Sequence, residues 1–367
     1  MNGQYIPAIN TDNLDAFARG VRRFTTGIDE AGYQAALDWA RAEVTARSVP
    51  LLRLNDLPRG SFCSLSIVGS AAALSELLPE GNEALRAIRT LERWVGTEFQ
   101  GIVPLNCSGE NPLISAAAAA ASGKPLVDGD GCGRVLPLLE QTTFTLHGIS
   151  VGPIAVATPM RDDLILDAPA TRIEELIRPI VAAAGGWAIV ACYPMSAEQL
   201  AMAGLPGTLS NALRSGHPDF GPDPLVSRTL CRGTISGIEY PIQSIAGQPR
   251  SSAAGTLPSA PVSILISESA EPRSHLRLEA HNEIFLALAD GRVIASAPDQ
   301  ILILNPRTHE VINLENLTVG EPVHVAMVPA ASPAWKTKQG RLLMQLSGHA
   351  VEGFYNLSED TMNEGAP

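Results

Sequence analysis

The sequence is short of cysteine, of positive charge and of long apolar runs, and each shortage narrows what the chain can be. Its five cysteines, Cys63, Cys107, Cys132, Cys192 and Cys231, are odd in number and widely spaced, with no Cys-x-x-Cys pair. That argues against a disulfide framework and against a thiolate zinc site, and fits a reducing, cytoplasmic setting. None of the seven histidines pairs at a His-x-x-x-His spacing, so a histidine metal site is not visible. No phosphate loop and no dinucleotide fingerprint occurs.

Lys and Arg number 26 against 38 Asp and Glu, for a formal net charge of −12. Such a surface repels nucleic-acid phosphates and anionic membranes. The nearest basic group, Arg19 with Arg22 and Arg23, is a short solvated helix end. The longest apolar run, near Leu113 to Ala121, falls far below the ~20 residues a membrane helix needs. Met1 to Thr11 has neither a basic n-region nor an apolar h-region, so no signal peptide is expected. The expected partner is a small-molecule substrate, with no nucleic acid and no membrane; a homo-oligomer is left open.

What is present is a chain rich enough in apolar residues, 45%, to bury sizeable cores. Its 367 residues suggest about two domains. The first half alternates. Helical spacing covers Asn13 to Gly20 (with Asp12 as N-cap), Tyr33 to Arg47, Asn82 to Val95 and Pro112 to Ala121. Short apolar strands fall at Leu51 to Leu54, Phe62 to Val68, Gly101 to Leu105 and Leu126 to Val127. This predicts an α/β fold whose N-terminal domain, residues 1–165, has a mainly parallel sheet covered by helices. A C-terminal domain, residues 166–357, is predicted as a helix-strand-helix segment followed by a β-rich body. In that body Asp290-Gly291 signals a hairpin.

The clearest chemical constellation is Asp128-Gly129-Asp130-Gly131-Cys132-Gly133-Arg134, fed directly by an apolar strand. Carboxyl ends of strands are where ligands bind in open parallel sheets. Asp128, Asp130 and Arg134 are the candidate catalytic residues, able to act as a base, hold a divalent metal or clamp an anion. Gly131 is read as letting a ligand approach the backbone. The competing reading is a tight turn whose Asp side chains cap backbone amides. Upstream, Asn106-Cys107-Ser108-Gly109-Glu110-Asn111-Pro112 also joins a strand to a helix, with Asn111 as a possible N-cap. Both turns are expected at one sheet edge, and that convergence is the stronger signal. His281 precedes Asn282 and Glu283 within an otherwise apolar stretch.

These residues resemble the S-methyl-thiohydantoin desulfurase family, once a domain of unknown function associated with hydantoinase and oxoprolinase-type proteins. The resemblance rests on Pro125 to Arg134 with Pro137, on Gly109 and Asn111, and on Glu175, Arg178 and Gly185-Gly186. Pro206-Gly207-Thr208, Asn282-Glu283, Ala297 to Ile301, Gly320 and Pro333 to Thr337 extend it over nearly the whole chain. It implies an N-terminal α/β domain, a β-rich C-terminal domain, and hydrolysis of a thiohydantoin- or hydantoin-type ring by water attack on a ring carbon. Gly109, Asn111, Gly131, Asn282 and Glu283 are the substrate-binding candidates it brings. No cofactor is specified beyond the open question of a divalent metal. Three departures stand out. Phe24 to Glu30 holds one glycine where the family has a glycine-rich run, and Asn106 and Leu138 stand where the family tends to have Glu. They imply another substrate, a site rebuilt from Glu110 and Glu140, or a non-catalytic ligand-binding or assembly subunit for a hydantoinase-type enzyme.

Overall fold

The computed structural model describes residues 8–217, 228–240, 262–269, 274–280 and 283–345. They form two compact units. The first holds residues 8–24 and 28–217; the second holds residues 25–27 together with the described residues from 228 onward. Residues 170–215, which the sequence suggested for the second domain, thus pack within the first compact unit.

The strands of the first unit are β1 (Ala8–Ile9), β2 (Val49–Arg53), β3 (Ser61–Gly69), β4 (Phe99–Pro104), β5 (Leu126–Asp130), β6 (Ile154–Ala157), β7 (Asp163–Leu166), β8 (Trp187–Ser196) and β9 (Leu205–Pro206). They form one sheet in the order β1-β2-β5-β4-β3-β8-β6-β7, with β9 paired to β5 off this path. The four central strands, β2, β5, β4 and β3, are parallel. β1, β8, β6, β7 and β9 add antiparallel. The sheet is therefore mixed around a parallel centre. The departure has a simple cause: β8 is ten residues long and apolar enough to be buried on both faces beside β3, whichever way it runs.

Helices α1 (Leu14–Arg22), α2 (Glu30–Ala46), α3 (Ala71–Glu76), α4 (Glu83–Val95), α5 (Glu110–Ser122), α6 (Thr143–Leu146), α7 (Ala170–Ala183), α8 (Ala197–Ala203) and α9 (Thr208–Ser215) complete this unit. In α5, Leu113 through Ala120 are all buried. A helix apolar on every side is a core helix. Its alanines let it pack closely on α2, β3 and β4. Two capping expectations change. α1 is capped by Asn13 rather than Asp12, and α5 by Gly109 rather than Asn111.

The second unit has strands β10 (Arg228–Glu239), β11 (Val262–Glu268), β12 (His275–Ala280), β13 (Ile284–Ala289), β14 (Arg292–Ser296), β15 (Gln300–Leu304) and β16 (Pro322–Val328), and helix α10 (Lys338–Gln345). They make an antiparallel sheet, order β14-β13-β12-β11-β10-β16-β15, curled so that β15 lies against β13. Asp290 and Gly291 turn β13 into β14 with φ of 48° and 80°, the paired left-handed conformation of a tight hairpin. Alternating burial along β12 places Leu276, Leu278 and Ala280 in this unit's own core.

Candidate functional site

Strand β5 delivers the acidic turn. Leu126 and Val127 are fully buried, and Leu51, Leu52 and Arg53 of β2 pair with Leu126, Val127 and Asp128. Past that point β9 takes over, pairing Gly129 with Pro206 and Asp130 with Leu205. At the turn Gly131 N–H donates to the carbonyl of Leu105, just after β4, at 3.0 Å. The two turns that follow β4 and β5 therefore meet at the carboxyl edge of the parallel centre, as the sequence led us to expect.

The two aspartates of the turn do different work. Asp128 Oδ1 accepts from Ser210 N–H at 2.9 Å, and its carbonyl accepts from Gly207 N–H at 2.9 Å. The N-cap residue of α9 is Gly207, which has no side chain to offer. Asp128 supplies the missing cap from a neighbouring strand, satisfying a donor that the helix start leaves open.

Asp130 is fully buried. Its Oδ2 accepts from the N–H groups of Cys132 and Gly133 at 3.1 and 2.7 Å, closing the turn. Its Oδ1 has no hydrogen-bond partner. Burial pushes its pKa up to about 6, against the restraining N–H groups of Gly133 and Cys132. The Thr208 hydroxyl and Cys107 N–H also face the carboxylate and help to restrain it.

Further buried polar and thiol side chains come from these two turns and from the elements packed near them. Thr208 opens α9, and its Oγ1 is closed to solvent and unpartnered. Ser108 is buried in the turn after β4, with its Oγ also unpartnered. Its backbone N–H donates to Asn106 Oδ1 at 3.2 Å. Cys107, between them in the chain, is buried beside Asp130; desolvation and that neighbouring carboxylate hold its thiol protonated, well above the usual range. Cys132 is likewise protonated and donates to the carbonyl of Gln141 at 3.2 Å. Tyr193 is buried in β8 at a bulge, with φ of 48°. Its hydroxyl donates to the carbonyl of Leu139 at 2.9 Å and lies 2.7 Å from Thr145 Oγ1. The sequence signal for Thr208 was the Pro206-Gly207-Thr208 resemblance, Ser108 lay in the upstream turn already singled out, and Tyr193 gave none.

The remaining candidates are placed as follows. Arg134 is buried, with Nε 3.4 Å from the Val135 carbonyl. Gly131 is closed by protein: a Cβ there would sit 2.6 Å from the Phe144 ring, while its carbonyl accepts from Thr143. Gly109 caps α5 with φ of 63°, and its N–H donates to the Val21 carbonyl at 3.3 Å. Asn111 lies inside α5 and spends Oδ1 on Ile67 N–H at 2.8 Å and on the Ser66 hydroxyl, pinning the helix to β3. Glu140 is raised in pKa by burial and by Glu174 of α7, whose own pKa burial also raises. A Gly-x-Ser-x-Gly spacing at Gly148 to Gly152 lies between α6 and β6 with Ser150 exposed; no helix follows it, so it is not a nucleophile elbow.

Glu283 belongs to the second unit. Its carboxylate accepts from the Thr25 hydroxyl, from Thr26 N–H at 3.0 Å and Gly27 N–H at 3.1 Å, and from the Thr26 hydroxyl at 2.9 Å. The segment with one glycine in place of the family's glycine-rich run thus still offers successive N–H groups, those of Thr26 and Gly27, and they hold this carboxylate. Asn282 lies outside the described residues. Among the described residues no group of three or more His, Cys, Asp and Glu side chains is placed to hold a metal ion, and no helix is long and apolar enough to cross a membrane.

Residues 12–168 match the model of the S-Me-THD-like N-terminal domain, and residues 168–218 and 225–350 that of the S-Me-THD-like C-terminal domain. No curated protein matches the chain. A crystal structure of a protein from Chromobacterium violaceum superposes with a TM-score of 0.70 at 18% identity, covering 98% of this chain and 97% of that one. At that identity the likeness is one of fold alone. The two domain models together span nearly the whole sequence, and the chain belongs to the S-Me-THD-like family, the relatives of S-methyl-thiohydantoin desulfurase.

Proposed function

We propose that the chain is a hydrolytic desulfurase acting on a methylthio-substituted, thiohydantoin-type ring. The observation that carries this reading is Asp130: a buried carboxylate with one oxygen fixed by backbone N–H groups and the other unpartnered, titrating at about 6. A base of that pKa is ionised at neutral pH and close enough to it to exchange a proton during turnover. Oδ1 takes a proton from water as the water oxygen bonds to the ring carbon that bears sulfur. The ring nitrogen receives the displaced electron pair. Collapse of the adduct breaks the carbon–sulfur bond, and methanethiolate leaves with the proton held by Asp130. The remaining water proton goes to the ring nitrogen, leaving a carbonyl where sulfur was. Arg134 supplies the positive charge for a substrate carboxylate or the developing anion.

The test is thiol release. The purified chain is mixed with an S-methylated thiohydantoin and the freed methanethiol is followed with a chromogenic thiol reagent. Release by the wild-type chain and its loss in Asp130→Asn is the expected pair of results. Absence of release by the wild-type chain, or full release by Asp130→Asn, overturns the reading.

A further inference from the structure

Tyr193 stands at an irregularity in the longest strand of the first sheet. Along β8, Trp187, Ile189 and Ala191 pack into one core of the first unit, and Ala188, Val190 and Cys192 into the other. Strict alternation would send Tyr193 with the first group. It packs with the second. The cause is a bulge: Phe62 of β3 pairs with Met195 and Ser64 with Cys192, so Tyr193 and Pro194 together oppose Cys63. Tyr193 takes φ of 48° there, and its N–H turns away to the carbonyl of Val151 at 2.9 Å. A bulky residue in the left-handed region persists only where its surroundings fix it, and bulges that re-aim a side chain cluster beside functional sites.

The re-aimed side chain serves one segment. Its hydroxyl donates to the Leu139 carbonyl at 2.9 Å, accepts from Thr142 Oγ1 at 3.0 Å and lies 2.7 Å from Thr145 Oγ1. Burial pushes the phenol far above its ordinary range, so it stays a neutral donor. Its ring meets that of Phe144 edge-on, with centroids 5.2 Å apart. The same segment in turn grips the acidic turn. Thr143 donates to the Gly131 carbonyl from its N–H at 2.6 Å and from its hydroxyl at 3.0 Å. The Phe144 ring closes on Gly131, where a Cβ would sit 2.6 Å away. The Gln141 carbonyl accepts from Cys132 Sγ at 3.2 Å. These contacts fall on the two residues that follow Asp130, and Cys132 N–H is one of the two that bind Asp130 Oδ2.

We infer that Tyr193 is a positioning residue: its hydroxyl fixes the 139–145 segment, and that segment holds the backbone of Gly131 and Cys132 against which Asp130 is set. The inference rests on the reading above only in taking Asp130 as the base. A carboxylate is as basic as its surroundings make it, and here burial raises it while N–H groups restrain it. The titratable groups facing it are the Cys107 and Cys132 thiols, both held protonated; the Thr208 hydroxyl and the N–H groups of Cys107, Cys132 and Gly133 complete its surroundings. Tyr193 spends its hydroxyl on the segment, so it acts on the carboxylate through that segment. Loosening the segment lets water reach Asp130 and lowers its pKa.

The experiment is a carbon-13 NMR titration of the full chain with its aspartate carboxyl carbons labelled, Asp130 being the signal that Asp130→Asn removes. In the wild type it titrates at about 6. Tyr193→Phe keeps the ring and deletes the hydroxyl; the Asp130 midpoint falls by about one pH unit, and kcat for thiol release falls about tenfold with KM unchanged. Thr143→Val, which cuts the next link, moves the midpoint the same way. Tyr33→Phe is the control: it deletes another buried hydroxyl, which donates to the Ala18 carbonyl at 2.6 Å, and leaves the midpoint in place. An unmoved midpoint in Tyr193→Phe overturns the inference, as does an equal shift in Tyr33→Phe. Should Tyr193→Phe fail to fold, an unmoved midpoint in Thr143→Val overturns it instead. A shifted midpoint in a chain that releases no thiol sinks the desulfurase reading alone; release with the midpoint unmoved in Tyr193→Phe sinks the positioning role alone.

Discussion

Two carboxylates, one in each unit, show how the same group is used in opposite ways. Glu283 has both oxygens engaged, taking two backbone N–H groups and two hydroxyls from Thr25 to Gly27. Asp130 is more deeply buried, yet only its Oδ2 is engaged. A fully satisfied carboxylate is a fastener. A buried one left half satisfied is costly to keep. The difference is what singles out Asp130 as the proposed base and Glu283 as a structural contact.

The comparison breaks most directly at Asp130. Asp130→Asn keeps the acceptor for Cys132 and Gly133 but removes the base, and thiol release should fall by roughly 10³-fold in a steady-state assay. A variant that still turns over at the wild-type rate removes the contrast with Glu283. At Glu283 the expected loss is in stability. Glu283→Ala strands the donors of Thr26 and Gly27, and urea denaturation should show a cost of about 3 kcal/mol. A cost near zero would make Glu283 no fastener at all.

Asp130 should also make the protein less stable than it needs to be. Its carboxyl titrates near 3.8 when unfolded and at about 6 when folded. The stability that its protonated form contributes is present below pH 3.8 and is lost as pH rises through 6. Above that the buried charge costs ~3 kcal/mol, an order-of-magnitude figure. Asp130→Asn, neutral throughout, should therefore melt higher than wild type at pH 8, with the gap closing by pH 4. A constant gap across that range would mean the carboxylate is stabilised by something other than what is described above. Smaller effects sharpen the picture. Gly131→Ala drives a methyl into Phe144 and should cost about 2 kcal/mol, partly recovered by Phe144→Leu. Asp128→Ala removes the α9 cap and should cost about 1 kcal/mol by thermal melting, with substrate turnover less affected than in Asp130→Asn.

Local signals in the sequence were read well, and partnerships across the chain were not. The acidic turn was visible because an apolar strand runs straight into alternating glycine and aspartate, a pattern with one structural meaning. The Asp290-Gly291 hairpin was visible for the same reason. Which aspartate keeps a carboxylate oxygen without a hydrogen-bond partner was not visible. Asp128 and Asp130 are two residues apart with near-identical surroundings, and what separates them is Ser210, which lies 82 residues from Asp128. The parallel centre of the sheet followed from strand–helix alternation, but the direction of β8 does not, since a doubly buried strand has the same composition either way.

The pairing of Thr25–Gly27 with Glu283 joins positions 256 to 258 residues apart. On a ribosome the threonines emerge long before the glutamate exists, so this contact is among the last that synthesis permits. Contacts of such separation form late and slowly, because loop closure must precede them. The second unit is also discontinuous in sequence, drawing three residues from near position 25. A fragment cut from residue 228 onward would lack its own fastener, and the C-terminal half of this chain should not be treated as a module that can be lifted out and studied alone.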